Sequence, residues 1–306
     1  MIKFLQVILT SLIFCIVATG CRSSSPLASA ISQHRDARPA LWLVSDADTR
    51  IYLFGTVHVL KPNTHWQTDI FANAFSASDV LYQEADISAD VQKHLSTSIP
   101  KLAFYPSNQK LMDALDEEQE VQMVRVAKRA GMSVKSLNKM RPWFAALALS
   151  QMQMSNSGYS TNHGVDTLLT RKAKQANKPI RYFETAFEQI QLLADLPEKN
   201  QIDFLVASAN LMETNPQLLD QLVNHWEVGN LGAIAKLVND DNVFGSKVVR
   251  QSLLTNRNKV WSGRITDLLD TQKGTFMIAV GAAHFAGDDS VIYFLNEAGK
   301  VVVRQQ

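Results

Sequence analysis

The sequence predicts an α/β fold: a central mixed, mostly parallel sheet, a functional site at the strand ends, and a large helical insertion or cap. Three observations predict it. First, Ile51-Tyr-Leu-Phe-Gly-Thr-Val-His58 is written again near the other end of the chain as Phe276-Met-Ile-Ala-Val-Gly-Ala-Ala-His284. Each is a short apolar run that stops at a glycine, with a histidine three residues on, and such a run reads as a buried strand. Second, two more strand-like runs, Asp79–Glu84 and Pro179–Glu184, end in a carboxylate. Third, the stretches between carry apolar residues at helical spacing, and strands, then many helices, then strands again is the order of an α/β domain with a helical insertion.

Glycine permits a sharp turn or a close approach, and ligands of open α/β sheets bind beyond the carboxyl ends of the strands. Four strand ends then offer His58, Glu84, Glu184 and His284, with both histidines at the rim and outside the packed core. Two imidazoles and two carboxylates suit a divalent metal or general acid–base work. Any one of the four taken alone is also a common loop or cap residue; the repeated Gly-x-x-His sets the histidines apart.

The chain has 306 residues, 46% hydrophobic and 19% charged, with net charge +1. This is globular composition, neither disordered nor multi-pass membrane. It makes no electrostatic case for nucleic acid, and phosphate-loop and zinc-finger spacings are lacking. At the N-terminus, Lys3 is followed by a mostly apolar run to Val17 and then by Ala18-Thr-Gly-Cys21, the layout of a secretory signal. Small residues directly before a cysteine resemble the bacterial lipoprotein cleavage box. Residues 1–20 are expected to be removed, Cys21 to carry lipid, and residues 21–40 to form a flexible tether ahead of a domain spanning 41–306. Ala18 stands where Leu is most usual, and an uncleaved anchor and ordinary secretion are the other readings. Arg22 in place of Asp favours the outer membrane, facing the periplasm. The only other cysteine, Cys15, leaves with the signal, so the domain has no thiol for catalysis and no disulfide.

In chain order, Leu41–Val44 and Ile51–Phe54 flank a turn-like segment and predict a hairpin. Trp66–Ser76 suits a short helix with Ile70, Phe71 and Ala74 on one side. Val91–Met154 turns helical. Within it Glu117–Ala130 carries Val121, Val124, Ala127 and Ala130 at helical spacing and stops at Gly131, while Pro142 suits the first turn of the next helix. Trp143, Leu147, Leu149, Met152 and Met154 read as core, a methionine-lined ligand groove being the alternative. After a polar loop, Gly164-Val-Asp166 opens a helix with Val165, Leu168, Leu169, Ala173 and Ala176 inward. Asp166 lies in its first turn, where a carboxylate favours the helix dipole; that, or a place in the site, is its role. Phe187–Val238 reads as three or four amphipathic helices, and Phe244–Leu269 continues helical through Arg257-Asn258. Thr275–Gly281 and Lys300–Arg304 are the last strands, with Ser290–Glu297 helical between them.

The run Tyr52–Leu60, Glu84, Pro142-Trp143, Gly164-Val-Asp166, Phe183-Glu-Thr185 followed by Gln189, Arg257-Asn258, and Val280-Gly-Ala-Ala-His284-Phe-Ala-Gly287 together resemble the TraB/GumN family, which includes the Tiki proteases. More distantly the chain is similar to the erythromycin-esterase and ChaN-like groups. The matches keep family order from about residue 41 to the C-terminus. Ala283 and Phe285 depart from the pattern beside the second histidine and leave both motifs intact.

The resemblance implies the α/β fold of those groups and metal-dependent hydrolysis of a peptide, or of a small ester or amide. Carried over, His58, His284 and Glu84 hold the ion. Glu84 or Glu184 is a ligand and the other takes the proton of the attacking water. Manganese, cobalt and zinc all suit a site without sulfur. Arg257 would steady a carboxylate end or an oxyanion through its fork of donors, or pair with a surface acid; Asp166 and Asn258 are secondary candidates. The esterase relatives imply an alternative, metal-free route with His58 as base and Glu84 orienting it. The ChaN-like relatives imply another, a haem-binding lipoprotein.

Overall fold

The computed structural model describes residues 37–238 and 241–306. The signal segment, Cys21 and most of the tether lie outside the described residues. Six strands, β1 (Leu41–Ser45), β2 (Thr49–Thr56), β3 (Val80–Ala85), β4 (Ile180–Glu184), β5 (Gly274–Gly281) and β6 (Val302–Arg304), form one sheet in the order β4-β3-β5-β2-β1-β6. β4, β3, β5 and β2 are parallel, and β1 is antiparallel to both β2 and β6. This is the mixed, mostly parallel sheet that the sequence predicts. The β1–β2 hairpin turns on Asp46, whose carboxylate accepts the amides of Asp48 and Thr49 at 3.1 and 2.8 Å. The last two strands part company. β5 enters the middle of the sheet between β2 and β3, whereas β6 goes to the edge beside β1.

Helices cover both faces, which is why the central strands are apolar almost throughout. Along β5, Phe276, Ile278 and Val280 pack to one side with Trp261, Ile265 and Leu269 of the Asn256–Thr271 helix. Met277 and Ala279 pack to the other, toward the larger helical layer, following the two-residue period of a strand. The Pro142–Asn156 helix runs through that layer with Pro142 in its first turn. Trp143, Leu147, Leu149 and Met154 are buried there as expected, and Met152 is half-buried. The cavity beside Met154 and Met212 is about 50 Å³ and has no titratable group in its wall. Among the described residues no helix is long and apolar enough to cross a membrane.

Three helix faces differ from expectation: in the Asp69–Ala77 helix the buried side carries Phe71, Ala74 and Phe75, while Ile70, expected beside Phe71 and Ala74, is 48% exposed. In Glu117–Ala130 the residues turned inward are Met123, Val126, Ala127 and Ala130, while Val121 and Val124 are 51% and 39% exposed. Met123, Val126, Ala127 and Ala130 stand at i, i+3, i+4 and i+7 and make one continuous apolar stripe, beside which the Gln122 amide donates to Asn210 Oδ1 across the packing interface. The end of that helix is as expected, with Gly131 in the left-handed region at φ 82°. Ala176, expected inward, is exposed because the helix ends at Gln175 and Ala176 is its cap.

Candidate functional site

Because β2, β3, β4 and β5 are parallel, their carboxyl ends share one edge, and His58, Glu84, Glu184 and His284 gather there. Glycines set the spacing of the backbones that carry them. Gly55 lies within β2, and a Cβ there would stand 3.1 Å from Ala282, so the two Gly-x-x-His turns meet through it. At Gly164 a Cβ would lie 2.0 Å from the carbonyl oxygen of His58. Only a glycine lets the start of the Val165–Gln175 helix close on that turn, where the Val165 amide donates to the Val57 carbonyl at 2.9 Å.

That approach delivers Asp166. Its carboxylate accepts from Thr56 Oγ1 at 2.8 Å and from His58 Nδ1 at 2.7 Å, and it does not cap its own helix. With Nδ1 donating, His58 turns Nε2 toward Glu84, 3.7 Å from Oε1. His284 mirrors it. Its Nδ1 donates to Asn258 Oδ1 at 2.6 Å, and its Nε2 lies 3.9 Å from the same Glu84 oxygen. Asn258 is oriented in turn by donating to the Asp289 carbonyl at 2.8 Å. Glu84 is steadied by the Gly281 amide on Oε1 at 2.8 Å and by Gln189 on Oε2 at 3.1 Å.

Arg257 closes the arrangement from below. It follows one turn of π-helix, Gln251–Thr255, a rare conformation that recurs at functional sites. The guanidinium is buried and stacks on Trp261. Nε donates to Glu184, Nη2 to Glu84 at 2.7 Å and to Glu184 at 2.9 Å, and Nη1 to the Leu253 carbonyl and to His284 Nε2 at 3.1 Å. A guanidinium has five N–H donors, so all are spent on protein partners and none is left for an oxyanion. Glu184 is likewise committed, to Arg257, Trp261 and Gln189.

The two imidazoles are electrostatically unlike. Burial opposes charge on His58, but Asp166 and then Glu84 outweigh it and push the ring up to about 9. Burial, reinforced by Arg257, holds His284 down to about 3. Burial would raise Glu84, yet its cationic neighbours, Arg257 foremost, hold it to about 2. A cleft of about 190 Å³ opens onto His58, Glu84 and Asp166, and Arg171 and Lys174 line its wall from the Asp166 helix.

The donors suit a divalent ion in kind: two imidazoles fixed through Nδ1, as metal-bound histidines usually are, and one carboxylate oxygen within 4 Å of both Nε2 atoms. Their placement does not yet make a cage. Among the described residues no group of three or more His, Cys, Asp or Glu side chains is set to hold a metal ion, and His284 Nε2 is turned to Arg257.

All the residues singled out from sequence within the described part of the chain meet here. The histidines, however, are not outside the core: His284 is fully buried and His58 is 7% exposed. The orienting role that the metal-free alternative gave to Glu84 falls geometrically to Asp166, on His58 Nδ1. Thr56, Gln83 and Trp261 went unnoticed. Gln83 donates to the Asp166 carbonyl and so ties β3 to that helix. Trp261 had a signal, its position one helical turn beyond Arg257. Replacing Asp166 with Asn is expected to return the His58 ring toward its ordinary value of about 6.5. Proton-detected titration of the imidazole checks this, and a ring that still titrates near its wild-type value would refute it.

Sheet, strand-end histidines and buried carboxylates together define an α/β protein with a His/Glu site at the carboxyl edge of its parallel strands. Residues 40–304 match the TraB/PrgY/gumN family, and the chain belongs to it. It is 26% identical to the uncharacterized protein YbaP of Escherichia coli (strain K12), over 84% of this chain and 92% of that one. It is 25% identical to Metalloprotease TIKI1 of Danio rerio, over 92% of this chain and 64% of that longer protein. It is 22% identical to Metalloprotease TIKI1 of Homo sapiens, over 93% of this chain and 66% of that protein. No solved structure matches it.

Proposed function

We propose that this protein is a hydrolase of amide or ester bonds, acting on a peptide or a small ester or amide, with a divalent ion held by His58, Glu84 and His284. One observation carries the reading: both Nε2 atoms lie within 4 Å of the same Glu84 oxygen at the sheet edge where ligands bind. Relatives named metalloproteases support it. A bound ion would polarise the carbonyl and lower the pKa of a water. The chain's own groups do the remainder. Asp166 and Asn258 fix the two imidazoles with Nε2 inward. Arg257 and Gln189 hold Glu84 ionised and aimed. With Glu184 bound to Arg257 and Trp261, the pair able to hold a proton beside the cleft is His58–Asp166. The test is hydrolysis of a peptide and of a p-nitrophenyl ester by purified protein before and after chelation. Loss on chelation and recovery with manganese, cobalt or zinc is expected. Activity toward neither substrate would overturn the hydrolase reading.

A second reading, metal-free hydrolysis with His58 as base, is favoured by the 2.7 Å contact to Asp166; full activity after chelation would establish it.

We also propose a cell-envelope location through lipid on Cys21, on the sequence pattern alone. Cys21→Ser is expected to accumulate unprocessed precursor and to lose labelling by a radioactive fatty acid. Unchanged labelling would sink the idea.

A further inference from the structure

We infer that Arg257 is the site's own resident cation, holding His284, Glu84 and Glu184 together and standing in competition with the divalent ion for His284. The inference rests on the reading that His58, Glu84 and His284 take such an ion.

The argument begins at the ring of His284. Asn258 Oδ1 can only accept, so Nδ1 of His284 carries the hydrogen and the one lone pair of the ring is on Nε2. That lone pair accepts from Arg257 Nη1 at 3.1 Å. One lone pair serves one partner, so His284 can bind an ion only after Nη1 lets go. Glu84 is different. Its Oε2 is taken by Arg257 and Gln189, while Oε1 has, among the described residues, a single donor, the Gly281 amide, and keeps a lone pair toward the imidazoles.

Arg257 can yield without leaving. Nε and Nη2 are clamped on Glu184, and Nη1 has a second acceptor in the Leu253 carbonyl. The contact to His284 is the one that an arriving ion must break. Charge points the same way. Two buried or half-buried carboxylates, Glu84 and Glu184, share a single guanidinium, while a third, Asp166, is paired with His58. The arginine therefore offsets part of the field that would draw a dication in, and it occupies the nitrogen that would bind it. Removing Arg257 should tighten metal binding, whereas an arginine that merely shaped the site would weaken binding on its removal.

The test titrates Mn²⁺ into chelator-stripped protein by calorimetry and follows melting in parallel, for wild type, Arg257→Gln, Glu184→Gln and the double variant. The double variant removes one charge of each sign. It leaves the net charge of the site unchanged and avoids stranding Glu184 as a buried, unpaired carboxylate, so it serves if Arg257→Gln does not fold. The double variant is expected to bind Mn²⁺ about tenfold tighter than wild type, the scale of one charge-assisted hydrogen bond. Without metal it should melt lower, and it should gain more on adding Mn²⁺. Glu184→Gln alone should bind more weakly. If the double variant binds Mn²⁺ no more tightly than wild type, while His58→Ala abolishes binding, the inference falls and the metal-site reading stands. If Mn²⁺ binds to none of them, both fall, and ester hydrolysis by stripped wild type then decides for the metal-free route.

Discussion

Arg257→Ala is expected to destabilise the protein by about 3–5 kcal/mol, the cost of leaving a buried charge without its partner. The side chain is 4% exposed, and its removal strands two carboxylates, those of Glu84 and Glu184, whose side chains are 9% and 15% exposed. It also removes the cation stacked 4.5 Å over Trp261. For a chain of this size the loss corresponds to a drop of roughly 10 °C in melting temperature. The pH dependence comes from Glu84, held in the folded protein at about 2 against 4.5 for the free group. A depressed carboxylate stabilises above its unfolded value, and that stability is lost as pH falls through the folded one. Without Arg257 that acid-labile contribution is missing, so the gap in stability between variant and wild type should close as pH falls from about 4.5 toward 2. Chemical denaturation of the variant across pH 2–7 checks both statements. A variant within about 1 kcal/mol of wild type would show that water or a relaxed Glu184 replaces the guanidinium, against its burial in the folded protein.

The largest effect on turnover is expected at His58. His58→Ala should lower hydrolysis by about 10²–10⁴-fold, the usual worth of a group that moves a proton, and by more if the ion is lost with it. The wild-type pH profile separates the two routes. With no second cation, Asp166 and Glu84 keep His58 protonated until pH nears 9. A metal-free protein using His58 as base should then gain rate steadily toward pH 9. A bound dication opposes a proton on its own ligand, so metal-loaded protein should already be active at neutral pH. Stability has the opposite slope. A histidine whose value is raised on folding stabilises fully below its unfolded value, and the contribution is lost as pH rises through the folded value. Metal-free wild type should thus lose about 3 kcal/mol between pH 6.5 and 9, and His58→Ala should not. A flat stability profile in wild type would refute the His58–Asp166 pairing.

The strand ends were readable because each of β2, β3, β4 and β5 is a short apolar run that ends where a polar side chain begins, a pattern that needs no knowledge of neighbours. The parallel pairing then brought those ends to one edge. What lay beyond reading was how the polar groups divide among themselves. Arg257 reaches Glu84 across 173 positions of sequence and Glu184 across 73, and spacing along the chain carries no mark of that. Asp166 looked like a first-turn carboxylate because it is one; only the closeness permitted by Gly164 turns it to His58. Depth also misled. A residue just past a strand end looks like a rim residue, but the helices from both sides close over His284. The Glu117–Ala130 helix offers two overlapping apolar stripes, and the packed layer takes the one through Met123, Val126, Ala127 and Ala130 and leaves Val121 and Val124 outside.

The position of β5 bears on how the chain becomes active at all. β2 and β3 are not paired with each other; β5 joins them, in register with Phe276 opposite both Ile51 and Val80. A chain delivered N-terminus first, whether from the ribosome or across a membrane, therefore exposes two unpaired parallel edges until residues 274–281 arrive, and pairing over such separations is slow because the loop must close before any contact rewards it. Gly281 and His284 come with that same segment, so no partial product of synthesis contains the site. A chain truncated before Gly274 is expected to be inactive and prone to aggregate through those edges, and the full chain to gain structure and activity in a single late step.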